Sequence, residues 1–140
     1  MPPPVIVDTN VVVAGLLTDR ADSPIARILD GMLAAAFPYV LSEALLAEYR
    51  EVLERPSLRK AHGLASAEVD AILIELVQHG IIFAPIPASP APESGDQHLW
   101  ELLAARPDLL LITGDKLLQR DRAMATRILS PAAFVERWLT

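Results

Sequence analysis

Short unbroken apolar runs alternate along the chain with longer stretches in which apolar residues return every three or four positions. The first pattern is that of a buried strand, and the second that of a helix resting one face on a core. Pro4 to Val7, Pro38 to Leu41, Ile81 to Ala84, Leu109 to Thr113 and Arg127 to Leu129 read as strands. Helices are predicted after Ser23-Pro24, from Ser42 to about Glu54, from Ser66 to His79, from Asp96 to Ala105, from Lys116 to about Met124, and after Ser130-Pro131. Serine before proline supplies a capping oxygen and a first-turn residue that needs no hydrogen-bond acceptor. Ile25, Ile28, Leu29, Met32 and Leu33 carry the helical spacing in the first of these helices, Pro56 stops the second, and Gly80 is expected at the C′ position of the third.

Strands that do not alternate in polarity, each followed by a helix, predict a parallel sheet covered on both faces. The expected fold is therefore α/β: a three-layer arrangement with a central, mainly parallel sheet flanked by helices, formed by residues 1–140 as one domain. The Pro/Ala/Ser-rich segment Pro85 to Gly95 is too short to divide it, and the strand order is not readable.

Apolar residues make up 52% of the chain, which excludes intrinsic disorder, yet no apolar run approaches the ~18 residues of a membrane span. The absence of cysteine removes disulfide frameworks and thiolate zinc sites, and with an N-terminus unlike a secretory signal it points to the cytoplasm. A net charge of −6 opposes nonspecific nucleic-acid binding over the whole surface. Basic residues nonetheless cluster: Lys116, Arg120, Arg122 and Arg127 are countered within their stretch only by Asp121, and Arg55, Arg59 and Lys60 form a second group. Solvated helix faces would also account for either cluster.

In open α/β sheets, working groups stand beyond the carboxyl ends of strands. Asp8 follows Val7 directly, and Asp115 comes two residues after Thr113. Either alone is equally a turn or cap residue. Asp96 opens a helix whose Leu99, Trp100 and Leu103 lie on its own side, so helix-dipole stabilisation explains its place in the first turn but not its inward direction. At 100° per residue, Leu45 and Val52 lie about 60° and 40° from Glu48, which puts that acid at the border of the apolar stripe. Glu43, Arg50 and Glu54 fall on the far side. Acids at the edge of a core must be paired, protonated or bound to a cation. Four of them without an evident basic partner suggest a metal, and all-oxygen ligation favours Mg²⁺ or Mn²⁺. His62, His79 and His98 share no ligand spacing, and His98, two residues from Asp96, is expected in solvent.

Asp8-Thr9-Asn10, the segment Ser42 to Glu48, Asp96-Gln97-His98-Leu99 and Thr113-Gly114-Asp115 together resemble the PIN-domain nucleases, in order and separation, over almost the whole chain. The Thr-Gly-Asp element and Ser130-Pro131-Ala132-Ala133-Phe134 resemble a VapC-like subgroup regarded as toxins of toxin–antitoxin pairs. The resemblance implies an acid cluster binding Mg²⁺ or Mn²⁺, single-stranded RNA as substrate, a homodimer and a small antitoxin partner. Asp8, Glu48, Asp96 and Asp115 are then the catalytic, metal-holding acids, and Thr9, Asn10 and Thr113 the polar supports. Lys116, Arg120 and Arg122 would guide the RNA backbone. The chain departs from the subgroup twice: Glu93 is offered where another Asp often stands shortly before the third acid, and Leu117 stands where an Asp often follows the fourth. Both departures bear on a second metal and keep a non-cleaving PIN-like scaffold, binding RNA or a protein, as the alternative. A phosphatase with Asp8 as nucleophile would want an acid at Asn10, and a receiver domain would want paired early acids; neither accounts for Glu48. No glycine-rich phosphate loop is present.

Overall fold

The computed structural model describes residues 2–140, so Met1 of the expected 1–140 domain lies outside the described residues. The strands are β1 (Val5–Val7), β2 (Val40–Leu41), β3 (Ile81–Ile82), β4 (Leu110–Ile112) and β5 (Ile128–Leu129). The helices are α1 (Thr9–Leu17), α2 (Pro24–Leu33), α3 (Glu43–Leu53), α4 (Pro56–His62), α5 (Ser66–His79), α6 (Gln97–Leu103), α7 (Lys116–Gln119) and α8 (Pro131–Trp138). All strand pairs are parallel: β1-β4-β5 form one ladder and β2-β3 another. A parallel bridge from Val5 to Tyr39, with Val5 N donating to Pro38 O, joins them into the order β3-β2-β1-β4-β5. This is the α/β arrangement the apolar runs predict.

Central position explains the composition of the middle strands. Val5, Ile6 and Val7 are buried on both faces, as are Leu111 and Ile112, and alternation would have wasted half of each strand. The edge strand β3 departs from that expectation, because Ile81 and Ile82 are exposed. Ser23, Ser42 and Ser130 cap their helices as expected, accepting from Ala26 N, Leu45 N and Ala133 N at 3.3, 3.2 and 3.1 Å.

Two helices are not legible in the sequence. The α1 segment contains three successive valines and a glycine, all poor helix formers. Burial of Val11, Val12 and Val13 overrides that weak propensity. Gly15 allows α1 to lie against α2, since a Cβ there would stand 2.9 Å from Ile25 O and 3.0 Å from Leu29 Cβ. The other is α4, which begins at Pro56 and buries none of its residues, so it carries little periodic signal. Three boundaries also need correction. The turn Ser94–Asp96 is a 3₁₀ helix and α6 begins at Gln97. Instead of reaching Met124, α7 ends at Gln119, where the chain passes into turns. Gly80 has φ −83° rather than the left-handed conformation; it is needed because a Cβ would stand 2.8 Å from Leu41 Cδ1 and 3.0 Å from Leu76 O.

Among the described residues no helix is long and apolar enough to cross a membrane. Arg127 is a further correction. It does not belong to an exposed basic patch, since its guanidinium donates to Leu103 O, Leu109 O and Arg106 O at 2.7, 3.1 and 2.6 Å, tying α6 to the approaches of β4 and β5.

Candidate active site

Beyond the carboxyl ends of β1 and β4 lies a cleft of about 420 Å³ lined by Asp8, Glu48, Asp96 and Asp115, with apolar walls that include Val13, Leu17, Val52 and Leu58. The four acids come from four places in the chain and reach one concavity because the β1–β4 pairing sets two strand ends side by side. Asp8 is the most buried of them, at 5% exposure. It caps α1, with Oδ1 accepting from Thr9 N at 2.8 Å. Its Oδ2 accepts from Thr113 Oγ1 at 2.7 Å and from Asn10 Nδ2 at 3.2 Å. Burial raises the Asp8 pKa above the usual carboxylate range, the Thr113 and Thr9 hydrogen bonds oppose the rise, and the nearby Glu48 charge adds to it.

The three residues expected as supports each hydrogen-bond to an acid of the cleft. Thr113 Oγ1, besides donating to Asp8, accepts from Asp115 N at 3.0 Å. Asn10 Oδ1 accepts from Gly114 N at 3.0 Å, so one amide side chain fastens the turn after β4 to the start of α1. Thr9 Oγ1 donates to Glu48 Oε1. Asp115 caps α7 through Leu117 N at 2.8 Å, as the turn-or-cap reading expects, and also lines the cleft. Tyr49, buried next to Glu48, donates to Val7 O and thereby fixes α3 against the end of β1.

Asp96 stands at the entrance to α6 without capping it. Its pKa is pushed up to about 6, first by burial and then by the charges of Asp8, Asp115, Glu93 and Glu48. That four other carboxylates act on it is the electrostatic mark of an acid cluster. Glu93 joins the cluster's field without lining the cleft.

His98 departs from its expected place. It is not in solvent: its side chain is 18% exposed, and Nε2 lies 3.3 Å from Glu48 Oε2. The acids are therefore not wholly without a basic partner. The i+2 spacing from Asp96 gives no hint of this, because the bond crosses from α6 to α3. Lys116, Arg120 and Arg122 are exposed, take part in no salt bridge among the described residues, and lie outside the cleft lining. In the other basic group, Arg55 is paired with Glu51 at 2.9 Å.

The cleft offers hard carboxylate oxygens and no thiolate, the donor chemistry that suits Mg²⁺ or Mn²⁺. As placed, no three acidic or histidine side chains among the described residues form a group that could hold an ion.

A family model described as a PIN domain matches residues 4–117, a segment that contains all four acids and Lys116 but not Arg120 or Arg122. Among solved structures the chain is similar to the PIN domain of T. brucei RRP44, at 17% identity and a TM-score of 0.49 over 99% of this chain and 82% of that one. No curated protein matches the chain.

Proposed function

The chain belongs to the PIN-domain family, whose members are generally nucleases that use divalent metals, and on that basis we propose that it is a metal-dependent endoribonuclease acting on single-stranded RNA. The observation that carries this reading is the convergence of Asp8, Glu48, Asp96 and Asp115 on one cleft at the strand ends, with the Asp96 pKa raised by burial and then by the charges of the others. In this reading Asp8 is the central metal ligand, Asp96 and Asp115 complete the set, and Glu48 ligates or orients the attacking water. A divalent ion held there, Mg²⁺ or Mn²⁺, supplies charge neutralisation at the scissile phosphate and acidifies water.

The protein's own part is to hold oxygens in place. Thr113, Asn10 and the Thr9 amide fix both oxygens of Asp8, and Thr9 Oγ1 holds Glu48. The apolar walls limit the water that competes for these groups. Lys116, Arg120 and Arg122, on and just after the helix capped by Asp115, would carry the RNA backbone past the cleft. The resemblance in sequence supports the narrower proposal of a cytoplasmic toxin that works as a homodimer and is restrained by a small antitoxin.

Purified protein incubated with a panel of single-stranded RNAs tests the reading. Cleavage is expected with Mg²⁺ or Mn²⁺, is lost in excess EDTA, and is absent in Asp8→Asn. Binding of RNA without cleavage under any of these ions would favour the non-cleaving scaffold, which the Leu117 departure keeps in view. Cleavage undiminished by chelator would overturn the mechanism.

A further inference from the structure

Glu48 differs from the other acids of the cleft in that side chains from two other elements engage its two oxygens separately. Thr9 Oγ1, from the first turn of α1, donates to Oε1; His98 Nε2, from α6, lies 3.3 Å from Oε2. His98 is not among the residues that line the cleft; it meets Glu48 from the neighbouring helix α6. Its other ring nitrogen, Nδ1, is buried and has no partner among the described residues. A proton on Nδ1 would be a buried donor with no acceptor, whereas a proton on Nε2 meets a carboxylate. The geometry thus favours the neutral Nε2–H tautomer, with the imidazole acting as a donor.

We infer that His98 is a positioning residue for Glu48, the second jaw of a Thr9–Glu48–His98 clamp that fixes the carboxylate's orientation in the cleft. An ionised carboxylate has about four lone-pair sites. Two donors hold its direction and still leave acceptor capacity for water or a cation. Without His98 the carboxylate would turn about the single Thr9 bond, and its alignment with the attacking water would be lost part of the time. The chemistry is unchanged; His98 joins Thr9, Asn10 and Thr113 as a fourth residue on which the rate depends through orientation. The inference rests on the nuclease reading for its kinetic consequence but not for the clamp itself.

The test has two arms. In the kinetic arm, His98→Ala is expected to lower kcat by about 10- to 100-fold with KM for RNA nearly unchanged, the usual range for loss of a residue that orients a ligand. His98→Gln, which sets an amide nitrogen close to the former Nε2, is expected to recover most of that loss. In the spectroscopic arm, ¹⁵N-labelled histidine in the metal-free protein at pH 8 should show His98 as the Nε2–H tautomer, assigned through His98→Gln. Glu48→Ala should shift that signal toward a mixture of tautomers. Full activity in His98→Ala, a His98→Gln variant no better than His98→Ala, or an Nδ1–H tautomer indifferent to Glu48→Ala would each overturn the clamp. A wild-type protein that cuts no RNA would overturn the nuclease reading alone, and the tautomer would still decide the clamp.

Discussion

Thr113 Oγ1 donates to Asp8 Oδ2 at 2.7 Å across 105 residues of chain, joining the end of β4 to the end of β1 through a buried bond. The same oxygen accepts from Asp115 N, so one hydroxyl orients one acid directly and the turn carrying another. Thr113→Val keeps the shape and removes both interactions, together with the bond that the hydroxyl accepts from Asn10 Nδ2 at 3.3 Å. A loss of about 1–3 kcal/mol of stability is expected at neutral pH, the cost of leaving buried polar groups unsatisfied. Asp8 would lose a bond that lowers its pKa, so its proton would be held more tightly still. The deficit should therefore shrink as pH falls and Asp8 becomes neutral. Urea denaturation of Thr113→Val and Thr113→Ser at several pH values checks this, with Ser expected near wild type. A deficit independent of pH would mean that Thr113 serves packing alone.

Asp96 makes a separate prediction with a definite sign. Its pKa is raised from 3.8 in the unfolded chain to about 6 in the fold. The folded state therefore binds the proton more readily, and its contribution to stability is fully present below pH 3.8 and lost as pH rises through about 6. Metal-free Asp96→Asn removes one of the repelling charges and should melt higher than wild type at pH 7. The difference between the two proteins should narrow between pH 6 and pH 4. Thermal melts in chelator across that range decide it, and a lower melting point for Asp96→Asn at pH 7 would make Asp96 a structural acid.

The second acid can be tested against its neighbour. Glu48 is half-buried and lines the cleft, whereas Glu43 is exposed in the first turn of α3. Glu48→Gln is expected to reduce RNA cleavage by about 10²-fold or more, the scale of a lost acid–base or orienting group. Glu43→Gln removes only a favourable first-turn charge, worth at most ~1 kcal/mol, and should cut RNA at nearly the wild-type rate. Circular dichroism confirms that both variants are folded. The reverse ranking would mean that Glu43, and not Glu48, is the second acid.

Four basic residues close in sequence should divide into two classes. Lys116, Arg120 and Arg122 are exposed, while Arg127 donates to three backbone carbonyls. Replacing the first three with Ala in a non-cleaving Asp8→Asn background should weaken RNA binding. The dependence of log affinity on log salt should become shallower by about 0.7 for each phosphate of a single strand that is no longer neutralised. Arg127→Ala should instead cost about 2 kcal/mol of stability, since bonds from a charged donor are among the stronger ones, and leave the salt slope unchanged. Fluorescence anisotropy and denaturation measure the two effects; an altered slope in Arg127→Ala would return it to the RNA surface.

The parallel α/β arrangement, the serine caps and the order of the four acids are all legible in the amino-acid sequence. Each of these is local: an unbroken apolar run such as Leu109 to Thr113 reports burial on both faces, and a serine oxygen reaches an amide three residues on. The helix phase likewise places Glu48 inward and Glu43 outward, as observed. Strand order is a different matter, because pairing of β1 with β4 joins segments a hundred residues apart that any parallel partner would have satisfied equally in composition. Packing also makes a helix of Thr9–Leu17, where burial of three valines outweighs their poor propensity. It draws Arg127 into the backbone ties around β4 and turns His98 away from solvent toward Glu48, fifty residues distant. Periodicity records which side of an element faces inward; which atom it meets there is fixed by the packing of elements distant in sequence, and no spacing within either segment encodes that.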